Sequence, residues 1–197
     1  MKRNIAAIVL AAGSSSRMGE PKQLLRVGAS TLLRRTLEQA LASDAAFTVV
    51  VLGAQAHAIR RELEQLAIAL IENARWSEGI GSSISAGVEA AKDCEAVVII
   101  ACDQPHLSAA TINRLIAEHE SSGKPIVASA YSDTLGVPAL FAREFFDELR
   151  QLAPDEGAKR LLHEHRHAVA AVSFAEGAVD LDTPADYERF VAKRGSR

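Results

Sequence analysis

Apolar positions along the chain follow two patterns. The first is the short run with no polar face, clearest in Ile5 to Ala12 and in Ala96 to Asp103, which ends on a carboxylate. Such runs predict strands buried on both sides of a sheet. Thr48 to Leu52, Ala67 to Ile71, Ile126 to Tyr131 and Gly136 to Phe141 add four more strands. Pro138 keeps the last of these off a central, fully bonded position, or places it at a bulge.

The second pattern is helical spacing. It begins near Thr31 with Leu33, Leu37, Ala40 and Leu41, and recurs in Ala56 to Leu66. Ile84, Val88 and Ala91 follow, with Ser82 or Ser83 as a possible cap; then come Ile112, Leu115 and Ile116 behind a Ser108 cap. Ala142 to Leu152, Gly157 to His165 and Ala185 to Val191 complete the set, the last announced by Thr183-Pro184. Strands alternating with helices imply crossover connections and a mostly parallel sheet, an α/β fold. One domain over residues 1–197 is expected, with Lys193 to Arg197 frayed.

The candidate chemistry lies where strands end. Leu10-Ala-Ala-Gly-Ser-Ser-Ser-Arg-Met-Gly-Glu-Pro-Lys22 joins the first strand to the first helix. A Gly- and Ser-rich loop after a strand offers unladdered N–H groups to phosphate oxygens. Arg17 and Lys22 add a planar fork and a point charge for the same oxygens. No Gly-Lys-Ser/Thr closes the loop and Gly13 and Gly19 do not make G-x-G-x-x-G, so it is neither a Walker A loop nor a dinucleotide fingerprint. Asp103 is expected at the same sheet edge, where ligands of open α/β sheets sit. A carboxylate beside a triphosphate needs a cation between them, and Mg²⁺ bound through carboxylates and phosphates supplies one. Asp103 is equally suited to starting the Gln104-Pro105 turn.

Composition narrows the partners. With 197 residues, 48% hydrophobic and 24% charged, the chain is long enough for a sizeable core. A net charge of −3 argues against nucleic acid or an anionic membrane, so phosphate affinity must be local. Met1-Lys2-Arg3-Asn4 is basic, but the apolar run behind it ends in the loop, so no secretory signal or membrane span is expected. Two cysteines are too few for a disulfide framework and suit a reducing cytoplasm; Cys102 reads as a small core residue. His163, His165 and His167 lack a completing ligand pattern and read as solvated.

The string Leu-Ala-Ala-Gly-x-Ser-x-Arg-Met-Gly-x-x-Lys resembles the signature of nucleotidyltransferases, and within them the molybdenum-cofactor nucleotidyltransferase family, the MobA/MocA-like proteins. The likeness extends over nearly the whole chain through Cys-Asp103-Gln-Pro, Asp155-Glu-Gly-Ala-Lys159 and Asp180-Leu-Asp182-Thr-Pro. It implies a three-layer α/β/α Rossmann-like fold and nucleotidyl transfer to an acceptor phosphate with release of pyrophosphate. It implies nucleotide binding at Leu10, Ala11, Ala12, Gly13, Arg17, Lys22 and Ser83, catalytic roles for Arg17, Lys22 and Asp103, and Mg²⁺ at Asp103 and Asp182. Leu-Ala-Ala-Gly rather than Leu-Ala-Gly-Gly resembles the cytidylyl-transferring branch, which implies CTP as donor. The implied acceptor is molybdopterin or the molybdenum cofactor, and a molybdoenzyme or its maturation factor is an implied partner. Where the family often has Gly-His-Pro this chain has Val137, which bears on the acceptor contact. A sugar phosphate or methylerythritol phosphate acceptor, a non-catalytic cofactor carrier and a regulatory nucleotide-binding domain are the alternatives.

Overall fold

A computed structural model describes residues 4–195. Met1 to Arg3, where a secretory signal would begin, and residues 196–197 of the expected frayed tail lie outside the described residues. Among the described residues the central sheet has seven strands: β1 (Ile5–Ala11), β4 (Phe47–Leu52), β5 (Ala69–Glu72), β6 (Ala96–Ala101), β7 (Ile126–Tyr131), β8 (Thr134–Ala142) and β9 (Val169–Ser173). Their order is β5-β4-β1-β6-β8-β7-β9. β8 runs antiparallel to both neighbours and every other pair is parallel, so the mostly parallel α/β arrangement is observed. A two-residue ladder, β2 (Arg26–Val27) with β3 (Ser30–Thr31), stands apart.

The helices form two layers because alternate strand residues bury on opposite faces. Ala7, Val9, Val50, Val98 and Ile100 pack with α1 (Leu32–Leu41), α2 (Ala56–Arg60) and α4 (Ala109–Ser122). Ala6, Ile8, Val51, Val97 and Ile99 face α3 (Ile80–Ala90), α5 (Phe146–Arg150) and α6 (Lys159–Glu164). In α1, Leu33 and Leu37 are fully buried, each contributing about 1.5–3 kcal/mol of hydrophobic stabilisation. Ser108 caps α4 as expected, and Thr31, where the first helical pattern begins, caps α1.

Local departures have local reasons. The Ala56–Leu66 pattern yields α helix only to Arg60, continued as a 3₁₀ turn over Arg61–Leu63, and Gln65 takes a left-handed φ of 71°. Ser82 and Ser83 do not cap α3. Gly79 does, at φ 132°, and the two serines lie inside the first turn. Glycine is required there, because any side chain at Gly79 would meet the Pro154 carbonyl carbon at 2.6 Å. Ala142–Leu152 divides into a 3₁₀ turn and the short α5, and the next helix is trimmed to Lys159–Glu164. Pro138 sits at an irregularity: Ala139 pairs with Ala128 but Gly136 pairs with Ser129, and the Ser129 hydroxyl donates to the Pro138 carbonyl at 2.7 Å. Edge strand β9 has no counterpart among the predicted strands. The last helix, α7 (Pro184–Gly195), runs two residues past Lys193, where fraying was expected. Phe190 docks it against Val27, Leu32 and Leu181. No described helix is long and apolar enough to cross a membrane.

Strand order reverses beside β1: β4 and β5 extend one way and β6 the other. The loops leaving β1 and β6 therefore part at the carboxyl edge and open a crevice.

Candidate active site

The loop after β1 turns at Ser15, whose φ is 57° and whose carbonyl accepts from the N–H groups of Met18 and Gly19. Buried Met18 anchors it from below. A 3₁₀ turn over Lys22–Leu24 follows and aims Lys22 at the end of β6. The Lys22 ammonium lies 2.7 Å from Asp103 Oδ2 and 3.0 Å from Asp182 Oδ1. Arg17, largely in solvent, reaches the other oxygen of Asp182 at 2.9 Å. The two loop cations and the two carboxylates that the sequence separates widely thus form one cluster. Burial works against the Lys22 charge, but the adjacent Asp103 charge and the hydrogen bonds to both carboxylates outweigh it and hold its pKa above the ordinary value.

Asp182 arrives because the chain returns from β9. The Leu181 N–H donates to the Asp103 carbonyl at 3.0 Å, and Thr183 and Asp186 bond each other reciprocally at the start of α7. Gln104, beside Asp103, is buried and donates to the carbonyls of Val137 and Gly177, tying the turn after β6 to β8 and to the returning chain. Tyr131 Oη donates to the same Val137 carbonyl.

The return also brings Asp180, which sequence reasoning passed over. Desolvation, then the charges of Asp103 and Asp182, push its carboxyl up to about 6. Asp103 and Asp182 share the partly buried Lys22, Asp182 also pairs with the solvent-exposed Arg17, and Asp180 adds a third carboxylate near enough to feel the charges of the other two. That set of hard oxygen donors, short of positive charge, suits a divalent cation such as Mg²⁺ or Mn²⁺.

A cavity of about 330 Å³ opens between the loops. Its wall includes the Leu10–Ala11–Ala12–Gly13 backbone, Lys22, Ser83 and Asp103, so it gathers most of the sequence-predicted residues; Arg17 and Asp182 attach through the ion pairs. Ser83 is buried and accepts from Asn73 Nδ2 at 3.0 Å, the same amide that bonds Ser82. Trp76, Gln23 and Asn73 are the residues sequence reasoning missed here. Trp76 lines the cavity and packs on Gly53, and a side chain at Gly53 would meet the Trp76 ring at 2.7 Å and the Ala12 carbonyl at 2.8 Å. The Asp155–Lys159 segment adjoins it, since the Pro154 carbonyl accepts from Gly81 N–H at 3.0 Å.

Cys102 is buried and its thiol is pushed up to about 12, chiefly by desolvation, which removes it as a nucleophile. Of His163, His165 and His167, the last two come together, their ring centroids 6.4 Å apart. The expectation that no carboxylate completes a ligand pattern fails at His165, which bonds Glu148 at 2.7 Å and lies with Glu148 and Glu164 in a surface trio whose ligand atoms are all within 4.8 Å of one another; Arg160 also pairs with Glu164.

Comparison with known proteins accords with this geometry. Residues 7–169 match the MobA-like NTP transferase domain. Nicotine blue oxidoreductase of Paenarthrobacter nicotinovorans is 37% identical over 71% of this chain and 67% of its own. Molybdenum cofactor guanylyltransferase of Mesorhizobium japonicum is 31% identical over 90% of this chain and 88% of its own. Rv0371c of Mycobacterium tuberculosis H37Rv superposes with a TM-score of 0.85 at 30% identity, covering 98% of this chain and 100% of its own, and has also been crystallised in complex with manganese.

Proposed function

This chain belongs to the MobA-like NTP transferase family, a family of nucleotidyltransferases, and from that premise we propose that it transfers CMP from CTP to the phosphate of molybdopterin or the molybdenum cofactor. An acceptor phosphate oxygen bonds to the α-phosphorus, the bond from that phosphorus to the β-bridging oxygen breaks, and pyrophosphate leaves. The observation that carries the reading is the Lys22 ammonium shared by Asp103 and Asp182 at the cavity that the Leu10–Gly13 loop walls.

Each residue has a part. The loop backbone holds the nucleotide, with Ser83 toward the base. Lys22 and Arg17 oppose the charge of the departing pyrophosphate. Asp103 and Asp182 would hold Mg²⁺, which would supply positive charge beside the α-phosphate. That Rv0371c has been solved in complex with manganese supports a divalent ion as the cofactor. Positioning and charge neutralisation suffice, so no protein nucleophile is required.

CTP is favoured by Ala12, which is buried against the cavity, its methyl narrowing the space for a purine. A larger cavity, about 540 Å³, lies at the β7–β8 turn and along β9, against Leu162, His163 and Arg166, and gives an acceptor room. The free thiols of Cys94 and Cys102 accord with a cytoplasmic setting, where a molybdoenzyme or its maturation factor would receive the product.

The test is pyrophosphate release from each of the four NTPs with Mg²⁺, with and without molybdopterin. Release with CTP that depends on molybdopterin supports the reading. Tight CTP binding without turnover assigns a carrier instead, and release only with a sugar phosphate or methylerythritol phosphate moves the acceptor. The name of the relative from Paenarthrobacter makes this assay decisive, since family membership alone leaves the reaction open.

A further inference from the structure

Gln23 is 1% exposed, a carboxamide placed under the loop that walls the nucleotide cavity. Its Nε2 donates to the Ala11 carbonyl and to the Gly13 carbonyl, each at 2.9 Å. Its Oε1 accepts from the Ser15 hydroxyl at 3.2 Å, and Ser15 Oγ in turn accepts from the Lys22 N–H at 3.0 Å. The orientation is forced. Two carbonyls only accept, so the amide nitrogen must face them, and the hydroxyl is left to donate to the oxygen.

We propose that Gln23 is the positioning residue of the nucleotide loop, fixing which way its peptide groups face and where Lys22 starts. The proposal rests on the reading that this loop holds a nucleoside triphosphate. In a planar trans peptide the C=O and the following N–H point in opposite directions. With the Ala11 and Gly13 carbonyls drawn onto Gln23, the N–H groups of Ala12 and Ser14 point to the other side of the loop. Both residues line the cavity. Without the carboxamide, nothing in this network stops those two peptides from rotating and presenting carbonyl oxygens, which repel phosphate. The Ser15 link carries the same constraint to the Lys22 backbone and hence to the ammonium between Asp103 and Asp182. A buried glutamine making two donations to main-chain carbonyls is a costly arrangement to leave half made.

The experiment uses Trp76, the single tryptophan of the chain, whose place in the cavity wall makes its fluorescence a reporter of nucleotide. Wild type, Gln23→Leu, Gln23→Glu and Ser15→Ala are titrated with CTP in Mg²⁺ from pH 5.5 to 8.5, and thermal melts are recorded in parallel. Gln23→Leu is expected to bind about tenfold more weakly at every pH, having lost both donors. Gln23→Glu is expected to be at least as impaired at pH 8, where a carboxylate faces two carbonyls. Its deficit relative to wild type should shrink as acid restores one O–H donor, whereas the Leu deficit should not. Ser15→Ala should weaken binding about threefold. If Gln23→Leu does not fold, the pH-dependent deficit of Gln23→Glu and the Ser15→Ala effect still decide the matter. A folded Gln23→Leu that binds like wild type, or a Glu deficit that stays constant with pH, overturns the positioning role while leaving the nucleotide site intact. No fluorescence response or competition by any of the four NTPs in wild type overturns both readings, since a loop without nucleotide has nothing to position.

Discussion

The two ends of the sheet's carboxyl edge are built differently. Around β1 and β6, polar side chains are buried and committed: Gln23 to the loop carbonyls, Asn73 to Ser82 and Ser83, Gln104 to Val137 and Gly177. Around the β7–β8 turn and β9 lies a larger cavity whose polar lining, including Ser132, Asp133, His163 and Arg166, is exposed. The two-residue turn there places Ser132 and Asp133 at φ 49° and 57°, and both side chains are exposed. The first end is organised before any ligand arrives, so binding need not order it. On the proposed function this end would take the donor nucleotide, and the second end would take the acceptor.

The largest effect that would sharpen this contrast is at Asp103. Asp103→Asn removes a charge from the junction of the two ends, and turnover should fall about a hundredfold or more while circular dichroism and thermal melts stay near wild type. Chelation with EDTA should do the same to the wild-type enzyme. Full turnover by a folded Asp103→Asn protein would detach the carboxylate cluster from the chemistry.

Lys22→Ala comes next. The ammonium makes two charge-assisted contacts in a partly buried site, and losing such a contact costs about 1.5–3 kcal/mol. Turnover should drop at least about tenfold, whereas Lys92→Ala, which breaks a surface pair with Glu89, should change little. Equal losses at the two positions would make the prepared end no more than a solvated loop.

How much of this contrast was legible in the sequence follows from the same physics. β1 and β6 announce themselves because both faces are buried, and a run without polar residues has few other structural readings. β9 hides because Val169-Ala-Ala-Val-Ser173 is an edge strand, half-exposed and alanine-rich, with too little alternation to register. Pro138 marked its bulge correctly because proline has few legal places in a sheet. Asp103 and Asp182 were found through strand end and motif. Gln23, Asn73 and Asp180 were not, because a polar residue type does not reveal whether it faces water or a backbone carbonyl several residues away. Their meaning is set by tertiary contacts, which local pattern does not encode.

Base choice tests the prepared end more finely. Ala12 is buried against the cavity, its carbonyl accepts from Ala54 N–H at 3.0 Å, and Gly53 and Trp76 crowd it from outside. The strand-side wall therefore has little freedom to retreat from a purine. A methyl in such a pocket is worth about 1–3 kcal/mol, so discrimination should be partial. We expect kcat/KM for CTP to exceed that for GTP in wild type, and Ala12→Gly to narrow the ratio. A wild-type preference for GTP, the nucleotide that the related guanylyltransferase is named for, would show that position 12 does not report the base.

The smallest expected effect lies at Asp180, where the chain crosses from the open end back to the prepared one. Its carboxyl, pushed up to about 6 by desolvation and by Asp103 and Asp182, binds a proton more tightly folded than unfolded. Between its unfolded value, about 4, and its folded value the native state holds more protons, so this group's contribution to stability declines as pH rises through that window. Above about pH 6 the ionised carboxylate is a standing cost to the metal-free protein. Asp180→Asn should therefore raise the metal-free unfolding midpoint at pH 7.5, and the gain should fade toward pH 4. Asp180 is exposed over much of its surface, which keeps the gain to no more than about 1 kcal/mol. Mg²⁺ or Mn²⁺ should stabilise wild type more than Asp180→Asn, because the cation relieves the repulsion that the substitution has already removed. Melting curves of the two proteins at pH 4.5 and 7.5, with and without metal, read all four terms. A gain that is the same at both pH values would mean that Asp180 acts by packing, and the junction would then not be electrostatically poised for a cation.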